Sequence, residues 1–470
     1  MVDSLLKEQP HPRWAKNAVF YQIFPERFAN GDPSNDPPEI EVWDARPRGN
    51  SYFGGDLQGI LDHLDYVRDL GANTVYLNPI FASPTNHKYS TSDYLKIDPA
   101  FGTKELFQKL IDRCHAQGMR IVIDGVFNHT GIDHWAFRDV VIHGAKSEYS
   151  GWYNFYSFPV ALPPAKPNYE CWWNIGRMPK LMVENPDVKA YLFQVTQQWT
   201  AMGIDGWRLD VPSEIPHEFW KEWRTLVKSL NPESYIVGEI WEEAAPWLQG
   251  DEFDAVMNYQ LRDICLDFFC RESIPPSQFD RRLAHLRSLY PPATNYVLQN
   301  LIGSHDTERY LTLCGKEVWK VGLTAMFQMT YVGAPMVYYG DEIGMEGGKD
   351  PDCRRTMIWD EKRWNTRLHN LYKMLISIRE QSDVLRSGEY RMLIADDERK
   401  MFSFERSLDS EAAYVFLNLD ENEYAVDVWV NKEFHTCVDA LSNETNVLTD
   451  GRLQSRIPGR SGKIFLGSTR

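Results

Sequence analysis

Short apolar runs recur along the chain, each followed by a longer amphipathic stretch. The runs are AVFYQIF (18–24), NTVYLNPI (73–80), RIVIDGVF (120–127), GIDGWRLD (203–210), YIVGEIW (235–241), FDAVMNY (253–259), YVLQNLIGSHD (296–306) and APMVYYGDEI (334–343). Between them stand helical patterns such as ELFQKLIDRCHAQG and EFWKEWRTLVKSL. Apolar strands alternating with helices predict a parallel sheet covered on both faces. Eight such units predict an α/β fold closed as a (β/α)8 TIM barrel rather than an open sheet.

Two intervals depart from this rhythm. From Asn128 to about Pro186 there is no clean helical pattern but many aromatics, prolines and glycines, which predicts a small domain inserted after the third strand. After about Ser387, segments such as KMFSFERS, AAYVFLNLD and YAVDVWVN alternate apolar and polar positions, the pattern of antiparallel strands with one wet face. The expected organisation is a barrel from 1–127 and 187–387, an inserted domain at 128–186 and a C-terminal antiparallel β-sandwich domain at 388–470.

Composition narrows the function. A net charge of −16 argues against nucleic acid or an anionic membrane as partner and suits a neutral substrate. Seven cysteines without a CxxC pair read as reduced thiols in a cytoplasmic protein. The opening MVDSLLKEQPHPRW lacks the apolar run of a signal peptide, and no later segment could span a bilayer. The 16 Trp and 23 Tyr belong mainly to a large core, although carbohydrate sites also use aromatic faces.

In a (β/α)8 barrel, chemistry sits at the C-terminal strand ends. Asp124, Asp210, Glu239 and Asp306 close the third, fourth, fifth and seventh runs. Any one could cap the following helix, but four on one rim would converge on a single pocket. Arg208 and Asp210 have the period-two spacing that places both on the same strand face. A guanidinium there is expected to depress the Asp210 pKa and keep the carboxylate ionised as a nucleophile. Glu239, between Gly238 and the apolar Ile240 and Trp241, is expected to hold a proton for donation. One charged and one protonated carboxyl group form the pair that cleaves glycosidic bonds.

DGVFNH (124–129), GWRLDVPSE (206–214), GEIW (238–241) and SHDTER (304–309) resemble the four signature regions of the α-amylase family of glycoside hydrolases, in the right order. GGDLQGI (54–60) and GAPMVYYGDEIGM (333–345) resemble two further family regions. MPKL (178–181) and GKDPDCRRTMIW (348–359) resemble the branch of cyclomaltodextrinase, neopullulanase and maltogenic amylase. The resemblance implies Asp210 as nucleophile, Glu239 as general acid/base and Asp306 as the carboxylate that stabilises the transition state. It implies His129 and His305 as sugar contacts, Arg208 as the group orienting Asp210, and His87 and Tyr89 of HKYSTSDY as lining of the same subsite, Tyr89 stacking on the sugar. Asp124 joins the substrate-binding set, and Asp350 with Arg354 matches a pair at the next donor subsite. Trp241, Trp172 and Trp173 are acceptor-side candidates for which core packing is an equal alternative.

Two departures from the branch stand out. The nucleophile is followed by ValProSerGlu (Pro212, Ser213, Glu214) where ValAlaAsnGlu is more common. The branch's extra N-terminal β domain, which in dimers reaches over a partner's site, has no counterpart before the first run at residue 18. Narrowing of the site would then fall to the inserted domain, the C-terminal domain or a different homodimer.

ERFANGDPSNDP (26–37) sets Asn30, Asp32, Asn35 and Asp36 on a Gly/Pro-rich loop. On spacing alone this is an Asx-rich turn, but Ca²⁺ takes oxygens from such loops. The resemblance adds Gly54, through its carbonyl, and Asp56, and so implies a structural Ca²⁺; no organic cofactor is expected. The expected activity is that of a retaining α-glucan hydrolase acting on small or cyclic maltooligosaccharides, with no nucleic-acid or membrane partner. A liquefying α-amylase, an α-1,6-glucosidase and an inactive carbohydrate-binding or transporter-associated barrel remain the alternatives.

Overall fold

The structure is a computed structural model that describes residues 11–468. Each of the eight apolar runs contains a strand: β1 (Phe20–Ile23), β2 (Thr74–Leu77), β3 (Arg120–Gly125), β4 (Gly206–Leu209), β5 (Tyr235–Gly238), β6 (Ala255–Val256), β7 (Gln299–Leu301) and β8 (Ala334–Tyr338). They form one parallel sheet in the order β6-β5-β4-β3-β2-β1-β8-β7. The remaining gap between β6 and β7 is crossed by a parallel bridge from Met257 to Gln299 and by the Asn258 N–H, which donates to the Gln299 carbonyl at 2.8 Å. The strands are buried on both faces because helices cover the outside and side chains fill the inside, which is why they read as near-continuous apolar runs.

The helices follow from stripes at helical spacing. In α1 (Lys104–Ala116), Phe107, Leu110, Ile111 and Cys114 are buried, and Thr103 caps the start by accepting from the Leu106 N–H. In α2 (Pro186–Ala201), Pro186 occupies the first turn and Asn185 accepts from the Asp187 N–H. In α3 (His217–Leu230), the Trp223 indole donates to the Thr196 hydroxyl of α2, and the Trp220 indole donates to the Pro212 carbonyl. Trp220 thereby ties the helix to the loop that follows Asp210.

The inserted segment carries a nine-residue helix, Trp135–His143, where the sequence pattern gave no clean helix. Its buried stripe has only three members, Ala136, Phe137 and Val140, and its cap is His134 rather than Ser or Asp, so the signal was weak. The rest is a cluster of rings, with Phe137 against Tyr153 and Tyr169 at 5.0 Å. Beyond the barrel, Glu389–Asp396, Met401–Leu408, Glu411–Asn418, Thr436–Asp439, Thr445–Val447 and Ser461–Ser468 build an antiparallel sheet, and Tyr424–Trp429 pairs with Arg452–Ile457. Met401, Tyr414, Phe416, Val426, Leu453 and Phe465 pack together in the core of this unit.

One expectation fails here. Cys270 and Cys314 are joined as a disulfide, with Cα atoms 4.7 Å apart, instead of remaining thiols. The ends of two helical turns, Leu266–Cys270 and Tyr310–Leu313, bring them within bonding range. Cys114, Cys171, Cys265, Cys353 and Cys437 are free. No described helix is long and apolar enough to cross a membrane.

At the junction of the barrel and the C-terminal unit lie two fully buried arginines, of which Arg406 reaches from the C-terminal unit into the barrel. Arg379 donates to the carbonyls of Met329 and Leu385, and Arg406 donates to those of Thr330 (2.7 Å), Leu385 (2.9 Å) and Gly388 (2.8 Å). Burial pushes Arg379 down to about 9 and Arg406 to about 10, so both stay charged at neutral pH against the negative end of the helix Val318–Thr330. Arg406→Met would leave these carbonyls unpaired in the interior. We expect a loss of about 3 kcal/mol, since each unsatisfied buried polar group costs about 1–3 kcal/mol. Chemical denaturation should show it, with kcat unchanged well below the melting temperature.

Candidate active site

At the C-terminal end of the barrel lies a cavity of about 780 Å³. Asp210, Glu239, Asp306, His87, Tyr89, His129, Trp172, Trp241, Asp350 and Arg354 all line it, with Trp173, Met178, Val211, Ser213, Glu214 and Glu242. Arg208, Asp124 and His305 do not line it; they are buried beneath its floor.

The floor is organised by Arg208. Strand register places Arg208 of β4 opposite Asp124 of β3. Its Nη1 donates to Asp124 at 2.9 and 3.1 Å and to Asp210 Oδ1 at 2.9 Å, while Nη2 lies 2.9 Å from Glu239 Oε2. One guanidinium therefore serves three carboxyl groups. Asp210 and Glu239 follow directly on β4 and β5, as expected, whereas Asp306 sits five residues past β7 on a loop. It is anchored there by Arg354 Nη2 at 3.1 Å and His305 Nε2 at 3.1 Å. Arg354 also pairs with Asp350 at 3.1 Å and donates to the His305 carbonyl at 2.8 Å, so the pair named from the sequence is assembled against Asp306.

The expected depression of the Asp210 pKa is corrected by the structure. Burial raises Asp210 well above the ordinary value; Arg208 pulls it back, and the neighbouring Glu239 and Asp124 carboxylates push it up again. Burial also raises Glu239, opposed by Arg208 and the Trp241 indole, which donates to Oε1 at 3.1 Å, and reinforced by Asp306. A single shared cation cannot hold several desolvated carboxyl groups ionised together, so the proton belongs to the coupled pair. The imidazoles are neutral: burial lowers His87 to about 3, His129 to about 4 and His305 well below its ordinary value.

Backbone geometry aims these groups. Val211, immediately after Asp210, has φ 44° and ψ 45°, a left-handed conformation that costs a β-branched residue on the order of 1–3 kcal/mol. It turns the Val211 N–H toward Glu239 Oε2, at 3.2 Å, and so links the two carboxyl groups through the main chain. Lys88 is also left-handed, with φ 62°, and its ammonium is buried 2.9 Å from Asp98. That buried pair pins the turn between His87 and Tyr89, both of which face the cavity. On the walls, Trp241 stacks on Tyr259 at 3.6 Å, and His129, Trp172 and Trp173 form a continuous stack at 5.4 and 4.9 Å.

The sequence reading missed Tyr259, Tyr76, Asn78 and Gln22. Tyr76 donates to Asp124 at 2.9 Å, and Asn78 donates to the Tyr89 hydroxyl at 3.0 Å. Gln22 and Asn78 carried the same signal that singled out Arg208: a polar side chain within an otherwise apolar run.

The oxygen-rich loop is divided. Asp56 spends both oxygens on N–H donors, Oδ1 on Gly31 and Gly59 and Oδ2 on Asp32 and Asn35, so it acts as a helix cap and loop tie instead of a free ligand. Asp32 turns to Ser34. The Oδ1 atoms of Asn30 and Asn35 are buried without a partner. Asp36, whose carboxyl is raised by burial, accepts from Asn30 at 2.8 Å beside Gly54, where a Cβ would meet Asp36 Oδ1 at 2.2 Å. Among the described residues, no three His, Cys, Asp or Glu side chains are grouped to hold a metal. Two orphaned amide oxygens, a carboxylate and the Gly54 carbonyl suit a hard cation.

Comparison with known proteins agrees with this geometry. Residues 22–388 match the family described as alpha amylase, catalytic domain. The chain is 48% identical over 458 residues to neopullulanase 2 of Thermoactinomyces vulgaris, covering 97% of this chain and 78% of that protein. It is 47% identical to a cyclomaltodextrinase of Geobacillus thermopakistaniensis, over 92% of this chain and 74% of the relative. The ligand-free cyclic α-maltosyl-(1→6)-maltose hydrolase of Arthrobacter globiformis superimposes with a TM-score of 0.90 at 40% identity, covering 97% of this chain and 100% of that one. The matched motifs, the eight-stranded barrel and the carboxyl cluster around Arg208 agree with these likenesses, and the chain belongs to the α-amylase family of glycoside hydrolases.

Proposed function

We propose that the chain hydrolyses α-glucosidic bonds of small or cyclic maltooligosaccharides with retention of configuration. The observation that carries this reading is the sharing of Arg208 between Asp210 and Glu239 at the floor of one cavity, with Asp306 on its wall. In this mechanism Glu239 gives the pair's proton to the glycosidic oxygen, and Asp210 attacks the anomeric carbon to form a glycosyl ester. Glu239 then takes a proton from water as that ester is hydrolysed. Arg208 holds the attacking oxygen in place, Asp306 binds sugar hydroxyls, and neutral His87 and His129 donate or accept hydrogen bonds without adding charge.

Substrate size follows from the walls. The ion pairs of Arg354 with Asp306 and Asp350 stand across the donor side and favour a short donor. Trp241 on Tyr259, and Trp172 with Trp173, offer flat faces for acceptor sugars, which suits the curved, apolar inner face of a cyclic glucan. The names of the relatives support the same substrate class. An inactive binding barrel is disfavoured by the presence of all three carboxyl groups in one cavity.

The loop at 30–36 is proposed to hold Ca²⁺ through Asn30, Asn35, Asp36 and the Gly54 carbonyl. The ion's chemistry there is structural: it would satisfy the buried amide oxygens and hold the loop against the barrel.

Four outcomes are expected. The kcat/KM on γ-cyclodextrin should exceed that on soluble starch by roughly tenfold or more, since discrimination is a difference in transition-state binding; NMR at early times should show the α anomer first. Equal values would point to an open-cleft α-amylase, and a β anomer first would exclude retention. Asp210→Asn should lower kcat by roughly 10⁴-fold or more with an unchanged circular-dichroism spectrum, because an amide cannot form the ester. Adding Ca²⁺ back to chelated protein should raise the melting temperature, as any ligand of the folded state alone does; an unmoved melting curve would reduce the loop to an Asx-rich turn.

A further inference from the structure

We propose that Gln22, on β1, is a positioning residue that fixes the tautomer of His305, so that the imidazole presents its Nε2–H to Tyr89 and Asp306. For activity this deepens the hydrolase reading and rests on it; for the ring itself it does not.

The argument starts at Asp124. Its two oxygens accept from Arg208 Nη1 at 2.9 and 3.1 Å, from Tyr76 at 2.9 Å and from Tyr89 at 2.9 Å. Four donor contacts leave no acceptor site for a proton on this carboxylate, so the Tyr89 hydroxyl proton points at Asp124. The Tyr89 oxygen can then only accept from its other two neighbours, Asn78 Nδ2 at 3.0 Å and His305 Nε2 at 2.7 Å. The first contact turns the Asn78 carbonyl toward Gln22, and the second requires a proton on His305 Nε2. Both conclusions meet at one amide: Gln22 Nε2 donates to Asn78 Oδ1 at 3.1 Å and to His305 Nδ1 at 2.9 Å. Both branches from the Tyr89 oxygen thus orient the Gln22 amide the same way.

Gln22 and His305 are both buried, and burial keeps the imidazole neutral, so it carries one ring proton. With Nδ1 occupied as an acceptor, that proton sits on Nε2, between the Tyr89 oxygen and Asp306 Oδ2 at 3.1 Å. Arg354 donates to Asp306 Oδ1, and the protonated Nε2 edge of the imidazole stands 3.1 Å from Oδ2. The opposite tautomer would set a lone pair against the carboxylate and release its orientation.

The test uses the full-length protein labelled with ¹⁵N-histidine. Long-range ¹H–¹⁵N spectra report which ring nitrogen is protonated, the His305 signal being identified by its loss in His305→Asn. We expect Nε2 protonated and Nδ1 bare in the unaltered protein. Gln22→Glu replaces the donor by an acceptor and should move or add a proton to Nδ1. Gln22→Met should give a mixture of tautomers and lower kcat on a maltooligosaccharide by roughly 10- to 100-fold, the loss typical of a small misplacement in an active site. KM should change less than about threefold, since the effect lies on a transition-state contact. Protonated Nδ1 in the unaltered protein would overturn the tautomer assignment, and an unchanged ring pattern in both variants would overturn Gln22 as the residue that fixes it; if Gln22→Glu does not fold, the unaltered protein and Gln22→Met decide. Full kcat in Gln22→Met despite a mixed tautomer would overturn the positioning role. Failure of the unaltered protein to cleave any α-glucan would instead count against the hydrolase reading, with the ring pattern still judging the tautomer.

Discussion

One buried guanidinium organises this molecule. Arg208 is a cation fully removed from water, which is tolerable only if its N–H groups meet acceptors and its charge meets carboxylates. Barrel geometry supplies them: strand register puts Asp124 opposite, and the next two strand ends deliver Asp210 and Glu239. The arrangement is electrically under-compensated, with several acidic groups around one positive charge. Burial raises both Asp210 and Glu239, the neighbouring carboxylates add to it, and a proton is left to be shared between them. The chemistry thus follows from a shortage of positive charge as much as from the identity of the carboxyl groups.

Much of this was legible in the sequence because barrel strands and barrel sites use simple periodicities. Eight apolar runs became eight strands, and polar residues interrupting them marked the interior rim. The reading weakened where a property depended on several chain segments together. A guanidinium two residues from an aspartate suggests a depressed pKa, yet the spacing cannot say that Asp124 and Glu239 claim the same cation. Asp306 could be found by its motif but not placed, because its loop position depends on Arg354, 48 residues later. Cys270 and Cys314 lie 44 residues apart, and only the packed ends of two helical turns bring them together. Asp56 was a metal-ligand candidate by resemblance; N–H groups of the 31–35 loop and of the helix it caps consume its oxygens.

Two strained residues flank the same centre. Val211 and Lys88 are left-handed residues flanking functional side chains, and each is held by something buried: the Val211 N–H by Glu239, the Lys88 ammonium by Asp98. Neither conformation is favoured by its residue type, so the surrounding packing must impose it. Trp220, donating to the Pro212 carbonyl from an outer helix, is part of that packing. The ValProSerGlu segment accordingly has its start fixed by the barrel, while Val211, Ser213 and Glu214 line the cavity and Pro212 does not.

The barrel's closure has a mechanical consequence. Five of the eight strands pair through three or more residues on both sides, but β5 meets β6 through two, β6 has two residues and β7 three, and β6 and β7 meet through a single bridge from Met257 to Gln299. A hoop with one weak stave does not deform evenly; it flexes at that stave. Glu239 stands on one side of the seam and the loop of Asp306 rises from the other, so any give at the seam would alter the separation between these two carboxyl groups. The opposite arc, through β3 and β4 where Asp124 and Arg208 are locked together, is the rigid reference from which that distance is set.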